Sequence, residues 1–386
     1  MQRRKFIALA GGGVILAAGG GAGYLVGRSP ERALRPWQQA GSLYREPRRK
    51  ALSYAILAPN PHNRQPWLVD LSRPEQVVLY ADPARRLPHT DPFDRQITIG
   101  LGCFLELLSL AAAEDGYRVD FALFPEGTSE DAGAAALDTR PVAIASFAAD
   151  AAVAPDPLFA QVLTRRSLKE PYDPARPVPA ETLARLEAAA SQGTAVGSSN
   201  ETAMVERLRR LTREALIVEI ETPRTFKESV DLFRIGKAEI EANPDGIDFS
   251  GPLFEALHLA GLFTREAALD PKSSAYAQGM NAVLRNTDTA MAHVWQITPG
   301  NTRAEQIAAG RDWLRINLAA TAAGLATQPL SQALQEYPEM QPHHDAIHAM
   351  LAPAGGRVQM LARLGYAAPV PPSPRWPLQT RILPDA

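Results

Sequence analysis

The hexapeptide His62-Asn63-Arg64-Gln65-Pro66-Trp67 sets the reading of this 386-residue chain. Asn60-Pro61 opens it as a turn signal and Pro66 closes it, so the stretch reads as a tight loop that leaves a helix and enters a strand. Loops carried on such a scaffold are where backbone groups and amide side chains can line a flat polar ligand edge. By composition alone the same residues also describe an ordinary polar turn, so the choice rests on what the rest of the chain offers.

Three other segments bear on it. Arg165-Arg166-Ser167-Leu168-Lys169 brings guanidinium, hydroxyl and ammonium donors together within five residues, a set that suits phosphate oxygens; a solvated basic helix end is the plainer reading. Gly324-Leu325-Ala326-Thr327-Gln328-Pro329-Leu330 follows a long helical pattern that Gly324 would end in the left-handed conformation, leaving backbone donors after it. The stretch over 369–378 is too proline-rich for regular structure and carries Arg375 between Pro374 and Trp376 as an extended arm or a solvated tail.

Between these landmarks the pattern predicts a helix over 31–57, strands over 67–71 and 77–80, a strongly apolar helix over 97–114, a strand over 118–123, a polar linker over 125–140 and a strand over 142–147. A second unit follows, with helices over 156–164, 180–190, 203–219 and 226–242. After an inserted loop or lid over 243–274 come a strand over 292–298, a long helix over 303–323, a helix over 341–351 and a strand over 357–364. Helices outnumber short strands, which points to an α+β class with helices packed on antiparallel or mixed sheet.

Composition narrows the function. With 46% hydrophobic and 21% charged residues the chain is of globular type, and Lys+Arg 40 against Asp+Glu 42 leaves no basic field for a nucleic-acid backbone. The charge is unevenly spread. Residues 1–30 hold Arg3, Arg4, Lys5 and Arg28 and no acid, which leaves 36 basic against 42 acidic residues beyond them. The basic start is followed by a 21-residue apolar run over 6–26 that contains seven glycines, the plan of an export signal. Arg3-Arg4 before Lys5-Phe6-Ile7 resembles the twin-arginine (Tat) signal, so the expectation is delivery through the Tat translocase to the periplasm, either released or anchored in the membrane facing outward. Cys103, the single cysteine, rules out an internal disulfide and reads as a buried structural thiol. His343-His344 and His348 have helical metal-pair spacing but lack an acid–base motif beside them, so a solvated helix face is expected and no metal.

In their order along the chain, HNRQPW, RRSLK, GLATQPL and Gly365-Tyr366 followed by PRWPL resemble the signature segments of the nitroreductase-like FMN-binding superfamily. The resemblance is to its Acg-type branch in particular, where two nitroreductase-like halves are fused in one chain, and it covers residues 45–380. It implies a nitroreductase-like α+β fold, with a first half over 31–150 and a second half over 151–386, each a small sheet flanked by helices. In ordinary relatives the flavin lies between two subunits; here the loop occurs only in the first half and the RRSLK segment only in the second, so one composite site is expected. A monomer then suffices, with a homodimer as the alternative.

By matching position, the resemblance implies that Arg165, Ser167 and Arg375 hold the FMN phosphate, and Arg166 joins them or is structural. Lys169 would face the flavin N1/O2 edge. Asn63, Gln65 and the backbone of Asn60 and His62 would meet the pyrimidine edge, and Gln328, Pro329 and Leu330 would lie near N5. The implied activity is flavin-mediated transfer of hydride or electrons to a quinone, nitro compound or similar small acceptor, the flavin itself doing the chemistry. The alternative is an FMN-sequestering protein whose flavin is covered by the 243–274 insertion.

Overall fold

The computed structural model describes residues 29–128 and 135–384; nearly all of the expected export signal lies outside the described residues. The chain enters through α1 (Glu31–Gln39) and α2 (Pro47–Ala55), two helices where the pattern predicts one. The break has a local cause. Gly41 takes a left-handed φ of 71°, and Pro47 restarts the helix at its first turn with Glu46 accepting from the Arg48 and Arg49 amides.

The first sheet is built from β1 (Trp67–Asp70), β2 (Gln76–Ala81), β3 (Tyr117–Leu123) and β4 (Ala143–Ala149), with the helix α3 (Arg95–Ala113) between β2 and β3. Its order is β1-β2-β4-β3, antiparallel throughout. The region over 156–164 is only a 3-10 turn, Pro157–Gln161, capped by Asp156. Beyond it come α4 (Ala180–Glu187) and β5 (Ala195–Ser199), a strand whose half-buried glycine and serines hid it in the sequence.

A long excursion then separates β5 from its neighbour. It runs through α5 (Thr202–Glu221), α6 (Pro223–Asp231), β6 (Phe233–Ile235), α7 (Gly236–Ala242), β7 (Ile247–Phe249), α8 (Pro252–Leu259), α9 (Arg265–Leu269) and α10 (Ser274–Asp288). Two expectations are corrected here. The single helix over 226–242 is split by a strand, because Gly236 at φ 77° cannot continue a helix. The presumed loop over 243–274 is folded, with β7 parallel to β6 and with Phe233, Phe249, Phe254 and Phe263 packed ring against ring at 4.7 to 6.2 Å as its own small core.

The chain returns in β8 (Ala292–Thr298), α11 (Arg303–Ala322), β9 (Ala326–Pro329), α12 (Gln341–Leu351) and β10 (Arg357–Gly365). The second sheet has the order β5-β8-β10-β9, again antiparallel. Each half therefore runs strand, strand, long helix, strand, strand, and joins its strands in the same order. The two long helices meet at glycine: a Cβ on Gly102 would stand 2.3 Å from the Ile307 carbonyl oxygen, and one on Gly310 2.0 Å from that of Ile99. Phe104 and Leu105 of α3 share one apolar cluster with Ile307 and Leu314 of α11, so the halves have a common core. That burial also accounts for α3, which is long and apolar enough to cross a membrane but is 83% enclosed by protein. At the far end the chain crosses back, Leu383 donating to the Val69 carbonyl at 2.8 Å and Ile382 bridging the β1 edge.

Candidate functional site

The loop between α2 and β1 is held under backbone strain. His62, Asn63 and Gln65 all have φ near 50°, a left-handed conformation that non-glycine residues take at a cost on the order of 1 kcal/mol or more each. Hydrogen bonds over-determine it. Asn60 accepts from the Gln65 amide at 2.7 Å and donates to the Ala58 carbonyl at 3.0 Å, so its side chain is spent on shaping the loop. Gln65, fully buried, donates to the Pro244 carbonyl and accepts from the Trp376 amide, both at 2.8 Å. Asn63 donates to the Pro374 carbonyl at 3.0 Å and accepts from Arg375, and its own carbonyl accepts from Gly246 at 3.3 Å. The amides expected to face a ligand are thus tied to the insert and to the carboxy-terminal arm, and the ligand-facing groups left over are the backbone and the unpaired Nδ1 of His62.

The basic segment arrives at the same place. Arg165 donates to the Leu57 carbonyl at 3.2 Å, and Arg375 donates to Leu57 and Ala58 at 3.2 and 3.3 Å, so the two guanidiniums converge on the last turn before the loop. Both are buried. Arg166 behaves differently: it lies over the Trp37 ring at 4.9 Å and donates to the carbonyls of Leu163 and Arg165 as a brace. The Ser167 hydroxyl has no protein partner among the described residues.

Electrostatics mark this cluster. Burial, with Arg165 adding repulsion, pushes the Arg375 pKa down to about 9, and burial takes Arg165 down to about 10. Among the described residues neither guanidinium, nor Arg166 or Lys169, forms an ion pair with a carboxylate. Buried cations without counter-ions are costly, and such a site favours an anion from outside. Lys169 is exposed by surface area, yet enough protein surrounds its ammonium to lower its pKa by desolvation, with Asp248 opposing. His62 has the same character, and burial followed by the nearby Lys169 and Arg64 charges holds its pKa down at about 4, so its ring is neutral at pH 7.

Residues from the second sheet support the segment from behind. Leu168 donates to the Thr327 carbonyl at 2.9 Å, which sets β9 beside it. Arg363 donates to the carbonyls of Leu168 and Glu170 at 3.3 and 2.7 Å and to the Gln328 side chain at 2.7 Å. Gln328 and Pro329 therefore border the basic segment, while the Leu330 side chain turns away into a separate apolar cluster with Leu208 and Leu334. Arg363 escaped the sequence reading, although an arginine flanked by apolar residues on both sides, in the run Met360-Leu361-Ala362-Arg363-Leu364, was its visible sign.

Asp245 fastens the insert. Its carboxylate takes Arg85 and Arg234 at 2.8 Å, with Arg64 at 3.7 Å and the Trp376 indole at 3.4 Å. Burial works against the charge, but Arg234 and Arg85 prevail and hold its pKa below the usual carboxylate value. Its stabilising contribution is therefore full above the unfolded pKa near 4 and lost only as pH falls through the lower folded value. Asp245→Asn, which leaves half-buried Arg234 and Arg64 without a carboxylate and Arg85 with Asp82 alone, is expected to cost about 3 kcal/mol and to expose residues 250–263 to protease at pH 7; an unchanged cleavage rate would show that the clamp does not hold the insert.

Among the described residues of the second half, the corresponding position is closed. The segment before β5, the topological counterpart of the HNRQPW loop, is drawn shut onto Asp312, which accepts from the Ser191, Gln192 and Thr194 amides at 2.6, 2.8 and 3.3 Å. A separate cleft of about 410 Å³ between α1 and the arm touches Arg375 and Trp376 but not Arg165, Lys169 or His62. Cys103 is buried, donates to the Gly310 carbonyl at 3.1 Å and is pushed up to about 12 by burial, the character of a structural thiol. His348 uses both ring nitrogens, Nε2 accepting from the Val358 amide at 3.1 Å and Nδ1 paired with the His344 carbonyl at 2.7 Å, which leaves no lone pair for a metal.

No known family profile matches the chain. Two curated proteins of Mycobacterium tuberculosis, from strains CDC 1551 and H37Rv and each named "Putative NAD(P)H nitroreductase", are 27% identical to it over 335 residues, covering 85% of this chain and 88% of theirs. Among solved structures, it is similar to a nitroreductase-type chain from Anabaena variabilis, 12% identical with a TM-score of 0.45 over 87% of this chain and 91% of that one. It is also similar to the FMN-dependent nitroreductase NfnB of Mycobacterium smegmatis, 21% identical with a TM-score of 0.32 over 54% and 87%. The likeness to the curated relatives, spread over most of the chain, supports the nitroreductase-like superfamily as its place.

Proposed function

We propose that this chain is an exported, FMN-binding nitroreductase-like oxidoreductase with a single flavin site shared by two fused halves. One observation carries the reading: Arg165 and Arg375, from distant parts of the chain, are buried side by side with no ion-paired carboxylate among the described residues, at the strained loop. An unneutralised cation pair with spare donors and an idle Ser167 hydroxyl fits a phosphate, and the neighbouring backbone fits a flat heterocycle. The repeated strand–helix–strand topology supports the fused arrangement. Tat export rests on Arg3-Arg4 and the glycine-rich run behind them.

Arg165, Ser167 and Arg375 hold the phosphate, Arg166 and Arg363 brace the segment that carries them, and Lys169 presents positive charge at the N1/O2 edge. The backbone of 60–63 lines the pyrimidine edge, with Gln328 and Pro329 beyond. Bound FMN supplies hydride and electron transfer between a nicotinamide-class donor and a quinone, nitro or similar acceptor. A neutral His62 adds no charge to this edge at pH 7, so Lys169 and the backbone donors carry the electrostatics there. A second reading, FMN sequestration without turnover, is favoured by the way Pro244 and Gly246 seal the insert onto the loop.

Absorbance of the purified full-length chain tests both. A yellow protein that bleaches with anaerobic NADPH and reoxidises with a nitroarene is the expected outcome. A yellow protein inert to NADPH would favour sequestration, and a colourless one that takes up no added FMN would defeat both readings.

A further inference from the structure

The apolar run over 6–26 leads into a basic stretch. Residues 31–50 hold Arg32, Arg35, Arg45, Arg48, Arg49 and Lys50 against Glu31 and Glu46. The fold neutralises only half of those cations: Arg32 meets Glu241 at 3.1 Å, Arg48 meets Glu46 at 2.8 Å and Lys50 meets Asp115 at 2.6 Å. Arg35, Arg45 and Arg49 make no ion pair among the described residues, and Arg35 and Arg45 are exposed. Between those two, in the turn that joins α1 to α2, Leu43 is 53% exposed.

Arg35 and Leu43 belong to one concavity. The cleft of about 410 Å³ between α1 and the carboxy-terminal arm has buried Ala33, Ile56 and Leu378 in its floor and the exposed Arg35 and Leu43 at its mouth. Its volume is that of a small-molecule site. An apolar floor beside a free guanidinium fits an amphiphile with an anionic head, whose tail leaves water in the cleft while the head meets Arg35. The start of the chain selects among amphiphiles. This inference rests on the export reading set out above, in its membrane-anchored form. Five residues separate the end of the apolar run from Glu31, a span of at most about 18 Å, so an anchored chain holds α1 close to the bilayer. We propose that the cleft and the basic face over 31–50 bind an anionic phospholipid of that bilayer, with its phosphate at Arg35 and an acyl segment over the apolar floor. An apolar span and a basic face are then two membrane signals, and the second turns a tether into a fixed orientation.

The full-length chain, mixed from detergent with vesicles of phosphatidylcholine alone or of phosphatidylcholine with phosphatidylglycerol, tests this. A fluorophore on Leu43→Cys reports on the cleft, since the native Cys103 is buried, and one on Ala151→Cys, an exposed position just beyond β4, is the control. Nitroxide-labelled lipid is expected to quench the Leu43 label more strongly in phosphatidylglycerol vesicles than in neutral ones, and to leave the Ala151 label alone in both. Each arginine at an anionic surface is worth about fivefold, so glutamine at Arg35, Arg45 and Arg49 together should weaken docking by about 10²-fold and return the quenching to its neutral-vesicle level. These are surface positions, and near-UV circular dichroism confirms that the variant is folded. Salt at about 1 M, where charges are screened beyond about 3 Å, should do the same to the unsubstituted arginines. A chain that floats with both vesicles, yet is quenched equally at Leu43 in the two or equally at Leu43 and Ala151, overturns the lipid site and leaves the anchor standing. A chain that floats only with phosphatidylglycerol vesicles overturns the anchor and keeps the site, and one that floats with neither overturns both.

Discussion

Glutamine at both Arg165 and Arg375 is expected to cost the protein its FMN while leaving riboflavin binding nearly unchanged. Each arginine can give the phosphate a charge-assisted hydrogen bond, about 1.5–3 kcal/mol, so the pair is worth about 10²- to 10⁴-fold in affinity. Riboflavin lacks the phosphate and should not register the change. The comparison also separates binding from architecture, because Arg375 braces the Leu57, Ala58 and Asn63 region. A collapse of the loop would weaken both ligands alike, and that outcome would remove the phosphate assignment. The ligand-free variant should unfold no more easily than the wild type, since two buried cations without carboxylates have been removed.

Gly310→Ala is expected to be the most disruptive single methyl in the described structure. The new Cβ would stand 2.0 Å from the Ile99 carbonyl oxygen and 2.9 Å from Gly102 Cα, contacts that only backbone separation relieves. Overpacking of a rigid core costs about 1–3 kcal/mol, and here the upper end or beyond is expected because no side chain can swing aside. Since α3 and α11 join the halves, flavin affinity should fall with stability. Gly279→Ala in α10 is the control: no atom lies within 4 Å of its Cβ position, so it should be neutral or add up to about 1 kcal/mol by restricting the unfolded chain. Equal denaturation midpoints for the two variants would show that the helix crossing is not tight.

The segments that meet at the site were legible because each carries an anomaly that local structure does not need: four polar residues in a proline-bounded loop, two arginines with a serine and a lysine, an arginine in a proline-rich arm. Much of the framework was legible as well. The strand over 77–80, the apolar helix over 97–114 and the long helix over 303–323 all have a strong period, and the structure moves their ends by at most a few residues. The insert was not. Phe233–Ile235 and Ile247–Phe249 are strands too short to show alternation, and they exist because they pair with each other and bury a phenylalanine cluster.

The amino-acid sequence by itself determined which chemical groups this protein can bring to a ligand: guanidiniums, an ammonium, a hydroxyl and a loop of amides, with no disulfide to staple them. Only the tertiary structure decided which of those groups remain available. Hydrogen-bonding capacity is finite, and the fold spends Asn60, Gln65 and Asn63 on holding the loop, the insert and the arm together. Charge is long-ranged and costly to bury, so only the fold, by bringing Arg165 and Arg375 together across more than two hundred residues at the Leu57 carbonyl, lowers the pKa of both guanidiniums.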